Sequence, residues 1–196
     1  IDTLYFIRKR VKKLIVPESI VVDSITYPVI DCQGTSSVNC FESVVLPQYV
    51  RDANFSNCHQ IKKIDMSLCD IKNLPDLGSC KSLKTLVLPD SFWSLLCNQI
   101  SGCKSLEKIV LSDCSIAFTF TGCDNLREIY IPKGVRSIQT AGIWYVRNEL
   151  PMGDVRFRKI KVDKKNPNYC SVRNVLYNKD KTKLVLYSAR KRRRVF

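Results

Sequence analysis

Cys80-Lys-Ser-Leu83-Lys-Thr-Leu86-Val-Leu88 is the stretch that decides the fold, because the chain repeats its pattern at nearly constant intervals. The pattern is Cys-x-x-Leu-x-x-Leu-x-Leu, in which Ile or Met can replace Leu, and it opens again at Cys58, Cys103 and Cys123. The steps between the four cysteines are 22, 23 and 20 residues. Such a period is typical of repeat proteins, in which each copy forms one structural unit that stacks on the next.

Weaker copies of the apolar pattern flank these four. Two come earlier, one with Val11, Leu14 and Val16 and the next with Val38, Phe41, Val44 and Leu46. A later copy contains Phe157, Ile160 and Val162. We therefore predict seven stacked turns, with insertions at 19–40 and 137–154 where the steps are longest.

The pattern also predicts the architecture. The final Leu-x-Leu alternates with a period of two, as expected of a strand with one buried face. Copies stacked about 4.8 Å apart form a parallel sheet whose inward side chains share one core. Proline cannot donate to a neighbouring strand and ends the strand in four copies, at Pro17, Pro47, Pro89 and Pro132. We predict a mainly β fold, a right-handed solenoid with the parallel sheet on its concave face.

The cysteines fit this core better than they fit a metal site. The chain has ten cysteines, no Cys-x-x-Cys pair and a single histidine, His59. We therefore expect no metal and no cofactor. Cysteines of the repeat behave as small buried apolar residues, and the alternative is a disulfide between neighbouring turns. Four cysteines lie outside the repeat column, and the pattern does not decide whether they form disulfides: Cys32, Cys40, Cys97 and Cys170.

Positive charge is concentrated in the last third of the chain. The net charge is +14, and residues 126–196 carry 19 Lys/Arg against 5 Asp/Glu, so they account for all of it. Such a region attracts polyanions, although a solvated chain end carries the same charges without a partner. The candidate polyanion-binding residues are Arg190, Lys191, Arg192, Arg193 and Arg194.

At this point the residues resemble a known family, the BspA-like leucine-rich-repeat proteins. Phe55-Ser-Asn-Cys58 and Phe120-Thr-Gly-Cys123 match the leading half of its repeat. The segment 16–30 is similar to its first strand pair, and 166–187 to its closing hairpin. A departure is Arg173-Asn174, where the family has Asp-Gly, so the turn there is in doubt. The resemblance implies export to the cell surface and a role in adhesion or host contact.

The resulting domain assignment is one leucine-rich-repeat domain over residues 1–189. It comprises a strand pair at about 11–31, repeats at about 38–163 and a capping hairpin at about 166–189. Residues 190–196 form a basic tail. We expect no membrane span, since no apolar run is long enough, and we favour a monomer.

No pair of nucleophile and base is evident, so we predict a protein that is not an enzyme. The strand residues that face away from the core form two columns. Column one contains Ile15, Val45, Asp65, Val87, Val110, Tyr130 and Lys161. Column two contains Lys13, Ser43, Lys63, Thr85, Lys108, Glu128 and Lys159. The candidate ligand-binding residues are Val45, Asp65, Val87, Lys108, Val110, Glu128 and Tyr130.

The leading hypothesis is an exported or surface-associated adhesion module that binds a host or neighbouring-cell protein through the concave sheet. One alternative is binding of an acidic glycan or nucleic acid by the basic C-terminal third. The other is a structural spacer without a ligand. The insertion 137–154, with Trp144 and Tyr145, either forms a contact loop or folds back on the solenoid.

Overall fold

The structure is a computed structural model that describes residues 12–33, 41–56, 58–71, 74–90, 98–112, 118–121, 123–136, 138 and 157–187. In these ranges the chain forms strands and turns and no helix. The predicted insertion 137–154 (apart from Ile138), the basic tail 190–196, and Cys40, Cys97 and Cys114 lie outside the described residues. The described part of the chain therefore contains no helix of the length and apolarity that a membrane crossing requires.

The main element is a seven-stranded parallel sheet to which successive turns of the chain contribute one strand each. From one edge to the other, its strands are β1 (Lys13–Ile15), β5 (Ser43–Val45), β7 (Lys63–Asp65), β8 (Thr85–Val87), β10 (Lys108–Val110), β12 (Glu128–Ile131) and β13 (Lys159–Val162). The middle residues pair in register from Leu14 to Ile160. This is the parallel stacking that the repeat predicts, so the leucine-rich-repeat architecture is confirmed.

A recurring backbone contact fixes the spacing of the turns. The carbonyl of the residue before each strand accepts hydrogen bonds from two successive N–H groups of the next turn. For example, the Lys62 carbonyl accepts from Lys84 at 2.8 Å and from Thr85 at 2.9 Å. The arrangement recurs from the Lys12 carbonyl to that of Arg127. Because each turn repeats the same bonds, a slip by one residue would move its apolar side chains out of the core.

The core consists of stacked columns of apolar side chains. Ile64, Leu86, Ile109 and Ile129 are each fully buried at the centres of their strands. Leu83, Leu106 and Leu126 form a second buried column, and the four repeat cysteines a third. These are the positions that the repeat pattern assigns to the interior.

The buried cysteines are held by a second recurring contact. The Cys80 thiol donates to the Phe55 carbonyl at 3.5 Å, and the Cys103 thiol to the Leu77 carbonyl at 3.5 Å. The carbonyl of Phe55 also accepts the N–H of Cys58, its own turn's cysteine, at 3.0 Å. A thiol is a weak hydrogen-bond donor, and a buried cysteine otherwise packs like a small apolar side chain. Cysteine therefore fills this column while giving each of these carbonyls a contact from the next turn.

Within the described residues, the column cysteines form no disulfides, and neither do Cys32, Cys69 and Cys170. Burial raises the pKa of the Cys80 thiol to about 12 and that of Cys69 to about 11. The pKa of Cys103 is also raised, first by its hydrogen bond with the neighbouring Cys123 thiol and then by burial. Because the thiolate is the reactive form, these side chains are chemically quiet in the folded protein.

Two further pairs of strands lie on the crossover side of the solenoid. Strand β4 (Asp31–Gln33) pairs in parallel with β6 (Asp52–Asn54), and β9 (Asn98–Ser101) pairs in parallel with β11 (Phe118–Thr121). Each pair joins two turns of the chain, so the stacking is supported by backbone hydrogen bonds on both sides of the core.

Similar hairpins occur near the two ends of the main sheet. Strand β2 (Ser19–Val22) pairs antiparallel with β3 (Ile25–Pro28), and β14 (Tyr169–Val172) with β15 (Val175–Asn178). Both have a two-residue turn with positive φ, 51° and 64° at Asp23 and Ser24 and 50° and 59° at Arg173 and Asn174. These angles match a type I′ turn. Arg173-Asn174 thus adopts a tight hairpin turn without the family's glycine.

The C-terminal element is larger than the predicted hairpin. Strand β16 (Leu184–Tyr187) pairs with β15, which makes a three-stranded antiparallel sheet. The prediction of a single hairpin was therefore incomplete. This sheet covers the last strand of the solenoid, since the Ser171 hydroxyl donates to the Ile160 carbonyl at 2.6 Å and Leu176 is fully buried. An exposed strand edge invites pairing with other chains, and these contacts block it.

Candidate functional site

The two outward columns of the main sheet are present in the predicted register. In column one, Val45 pairs with Asp65, Val87 with Val110, and Tyr130 with Lys161. In column two, Lys108 pairs with Glu128, which pairs with Lys159. All seven candidate ligand-binding residues therefore lie on one face of one sheet.

Column one is less exposed than an isolated strand would be. Val45, Val87, Val110 and Tyr130 are half-buried, because side chains on neighbouring turns cover their flanks. Ile15, at the end of the sheet, is 63% exposed. Both columns face away from the core, as predicted, but in the middle turns they are half-buried and not fully exposed. What remains open is a narrow apolar strip formed by Val87, Val110 and Tyr130.

Tyr130 is held in place by a polar contact. Its hydroxyl donates to the Asp163 carboxylate at 3.0 Å. The N–H of Lys165 donates to the same side chain at 2.8 Å. The backbone hydrogen bond from Lys165 and the hydroxyl of Tyr130 hold the pKa of Asp163 below its usual range. The aromatic ring is therefore oriented at the end of the strip by a carboxylate that stays ionised.

Column two carries paired charges. Glu128 lies between two lysines, with Lys108 Nζ at 3.5 Å and Lys159 Nζ at 3.0 Å from its carboxylate. Partial burial acts to raise the pKa of Glu128, but the hydrogen bond from Lys159 and the charges of both lysines outweigh it, so the pKa is lowered. Asp65 in column one is similar, since it accepts from Lys63 at 3.0 Å and from the Ser67 hydroxyl at 2.8 Å. The strip is therefore bordered by charges that largely satisfy one another.

A third row of charges was missed in the sequence analysis. We call it the edge row, and it consists of the residue before each strand of the main sheet: Lys12, Glu42, Lys62, Lys84, Glu107, Arg127 and Arg158. Glu42 accepts from Lys12 at 3.4 Å and from Lys62 at 3.1 Å, and Glu107 from Lys84 at 2.9 Å. The signal was available in the sequence, because each member stands two positions before a central core residue.

A cleft of about 610 Å³ lies away from the columns. It is formed by the turns that follow the first strands, and Glu18, Asp70 and Asp90 line it together with Arg51 and Tyr49. No residue of either column contributes to its lining. The candidate site on the sheet is therefore an open face, a shape that fits a macromolecule better than a small ligand.

The other candidate residues do not support catalysis or metal binding in the described part of the chain. His59 is exposed, and its Nδ1 lies 2.9 Å from the Ser79 carbonyl. Within the described ranges, no group of three His, Cys, Asp or Glu side chains is arranged to hold a metal ion. Arg190 to Arg194 lie outside the described residues. The geometry thus supports binding on the sheet face and offers no catalytic pair in the part of the chain that the structure describes.

Comparisons with known proteins agree with this architecture. The sequence matches the family model described as "BspA type Leucine rich repeat region (6 copies)" over residues 5–113 and 76–145. No curated protein matches the sequence.

Three solved structures of bacterial proteins are similar. The Treponema (T. pallidum) leucine-rich-repeat protein is 21% identical with a TM-score of 0.43, covering 65% of this chain and 67% of its own. The pneumococcal vaccine antigen PcpA is 17% identical with a TM-score of 0.45, covering 92% and 47%. A leucine-rich cell surface protein from Faecalibacterium prausnitzii A2-165 is 19% identical with a TM-score of 0.34, covering 92% and 55%. The chain thus spans about half the length of the last two.

Proposed function

The chain belongs to the BspA-type leucine-rich-repeat family, and from this premise we propose that it is an exported, surface-associated module that binds a host or neighbouring-cell protein through the outward face of its main sheet. Repeats of this type are typically non-catalytic interaction modules, because stacked units create an extended surface rather than an enclosed site. Export and surface location are part of the proposal and rest on the family.

The observation that carries the proposal is the strip of Val87, Val110 and Tyr130 with rows of charged side chains along one side. Interfaces commonly combine an apolar centre with a polar rim, and tyrosine is among their most frequent anchors. Lys108 and Glu128 supply the rim on one side. β-branched residues also favour strands for their own sake, so a test of binding must separate lost contact from lost folding.

The test is binding of the fluorescently labelled chain to intact epithelial cells, measured by flow cytometry. We compare the wild type with Val110→Glu and Tyr130→Ala, which change the strip without touching the central core column. If the strip is the binding site, each variant loses most of the saturable signal. A buried apolar side chain of this size contributes about 1.5–3 kcal/mol, which corresponds to a tenfold or greater loss of affinity.

The matched control is Lys104→Glu, which alters an exposed lysine in a turn away from the columns. Like Val110→Glu, it makes the net charge of the chain less positive, and it should leave binding unchanged. Thermal melts by circular dichroism check that each variant is folded. Saturable binding that is equal in all four proteins, or absent in the wild type, contradicts the proposal and favours a spacer without a ligand.

A second candidate is polyanion binding by the basic C-terminal third. It is favoured by the charge distribution, since residues 126–196 carry 19 Lys/Arg against 5 Asp/Glu. Contacts of this type weaken steeply with salt. Heparin chromatography tests it, with deletion of 190–194 as the variant. The candidate is supported if the wild type elutes at high salt and the deletion lowers the salt concentration of elution towards physiological ionic strength. It is contradicted if the wild type is retained weakly and the deletion does not change its elution.

A further inference from the structure

Over most of the length of the sheet face, the cations are paired with carboxylates. In the first five turns, the edge row and the two columns contain six cations and three carboxylates. Five of these cations lie within ion-pair distance of a carboxylate: Lys12, Lys62, Lys63, Lys84 and Lys108. A partner approaching this part of the face meets five cations that are already ion-paired, and a net charge of +3 that is spread over five turns.

This pairing is incomplete at the last two turns. There the same three rows contain Arg127, Arg158, Lys159 and Lys161 against one carboxylate, Glu128. Glu128 is bonded to Lys159 and Lys108. Among the described residues, Arg127, Arg158 and Lys161 form no ion pair within 4 Å. This end of the face therefore carries a net charge of +3 within two turns (four cations against one carboxylate), and three of its cations form no ion pair with the described residues.

The two arginines are neighbours on adjacent turns. The Arg158 N–H donates to the Arg127 carbonyl at 2.7 Å, which fixes the two backbones at the spacing of parallel strands. Arg127 is half-buried and Arg158 is exposed. The nearest acid in the edge row, Glu107, is bonded to Lys84 at 2.9 Å. Because their backbones lie on adjacent turns, the two arginine side chains can both donate to one carboxylate of a partner.

The apolar strip ends beside this group. Tyr130, its last member, pairs in register with Lys161, and Glu128 in the same strand follows Arg127 directly. A ligand that covers the strip therefore brings its next few atoms over the cations that form no ion pair with the described residues. A polypeptide can match both features, because it can alternate apolar and acidic side chains along an extended backbone. A sulfated glycan or a nucleic acid matches only the charges.

We propose that the partner of the sheet face is a polypeptide segment that is acidic as well as apolar, whose carboxylates bind Arg127, Arg158 and Lys161 while its apolar side chains cover Val87, Val110 and Tyr130. This inference rests on the proposed function and specifies the chemistry of the partner.

The test begins with a random library of dodecapeptides displayed on phage and selected on the immobilised full chain. Enriched peptides are synthesised, and their affinity is measured by fluorescence anisotropy for the wild type, for Arg127→Glu/Arg158→Glu and for Val110→Glu. Lys104→Glu again serves as the control for charge. A heparin-derived octasaccharide is measured in parallel, and melts by circular dichroism verify folding.

We expect enriched peptides with at least two acidic residues among apolar ones. Their affinity should fall about tenfold or more in the double arginine variant and also with rising salt, since two charge-assisted contacts turn repulsive. It should fall in Val110→Glu and stay constant in Lys104→Glu. If the double variant melts early, the exposed single change Arg158→Gln replaces it, with an expected loss of about threefold.

Two results overturn the inference and leave the proposed function intact. One is enrichment of non-acidic peptides whose binding depends on Val110 but not on the arginines. The other is that the double arginine variant loses binding of the octasaccharide but retains binding of the peptides. If no enriched peptide is affected by Val110→Glu, the sheet face is not a polypeptide-binding surface, and the proposed function fails together with the inference.

Discussion

Replacing Asn166 with aspartate tests how the terminal sheet is joined to the solenoid. Asn166 is fully buried, and its side-chain amide donates to the Pro132 carbonyl at 2.7 Å and to the Val135 carbonyl at 3.3 Å. Its Oδ1 accepts from the N–H groups of Asn168 and Tyr169, both at 2.8 Å. The amide has two donor hydrogens and one acceptor oxygen, and all are used. It connects the turn after β12 to the start of β14.

The expected loss of folding stability follows from these hydrogen bonds. Asn166→Asp has the same shape and keeps the two accepted bonds, but its second oxygen faces two carbonyl oxygens in place of donating to them. Each buried group left without its bond costs about 1–3 kcal/mol, so we expect a loss of about 2–5 kcal/mol at neutral pH. Burial beside carbonyl oxygens raises the pKa of the introduced carboxyl above its unfolded value. Its neutral form can donate one bond, so the destabilisation is smallest below the unfolded pKa and grows as the pH rises through the folded pKa.

The assay is urea unfolding followed by circular dichroism at pH 4 and pH 7, together with hydrogen exchange resolved by mass spectrometry. Peptides from 166–187 should exchange faster in the variant, while those from 58–90 stay protected, because each turn depends on its neighbours. Asn125→Asp is the control, since Asn125 makes one exposed bond to the Lys104 carbonyl at 2.8 Å. A loss below about 0.5 kcal/mol for Asn166→Asp, with unchanged exchange, would refute the reasoning.

Three further predictions concern the columns. Because burial raises the pKa of Cys80 to about 12, its thiol should react with a thiol reagent at pH 8 only after denaturant is added, and rapid modification of Cys80 in the folded protein would contradict this. Tyr130→Phe removes the bond to Asp163, so the pKa of that carboxyl should rise towards its usual value when followed by NMR titration, while an unchanged pKa would mean that the bond is absent in solution. The pKa of Glu128 is lowered, so its pairs stabilise the fold above the unfolded pKa of the carboxyl and are lost as the pH falls through the folded pKa. Glu128→Gln should therefore narrow the difference in melting temperature between pH 7 and pH 3, and equal differences in both proteins would argue against the pairing.

The sequence by itself determined the repeat, the register and the identity of the core. Leu86, Ile109 and Ile129 are spaced so that a parallel stack of turns buries all three, and a slip by one residue exposes them. The two outward columns follow from the same alternation, which is why they are in the predicted register. Local periodicity contains this information because every turn makes the same contacts with its neighbours.

Only the tertiary structure decided how neighbouring turns use their polar groups. Asn166 reaches carbonyls 31 to 34 residues away, and Cys103 reaches one 26 residues away, separations that no local pattern encodes. The half-burial of Val87 and Val110 likewise depends on the side chains of adjacent turns. Periodicity assigns a residue to a face, but the partner of a polar group depends on atoms that stacking brings within 3 or 4 Å, and the arginines at the end of the sheet that form no ion pair with the described residues become visible only once those partners are known.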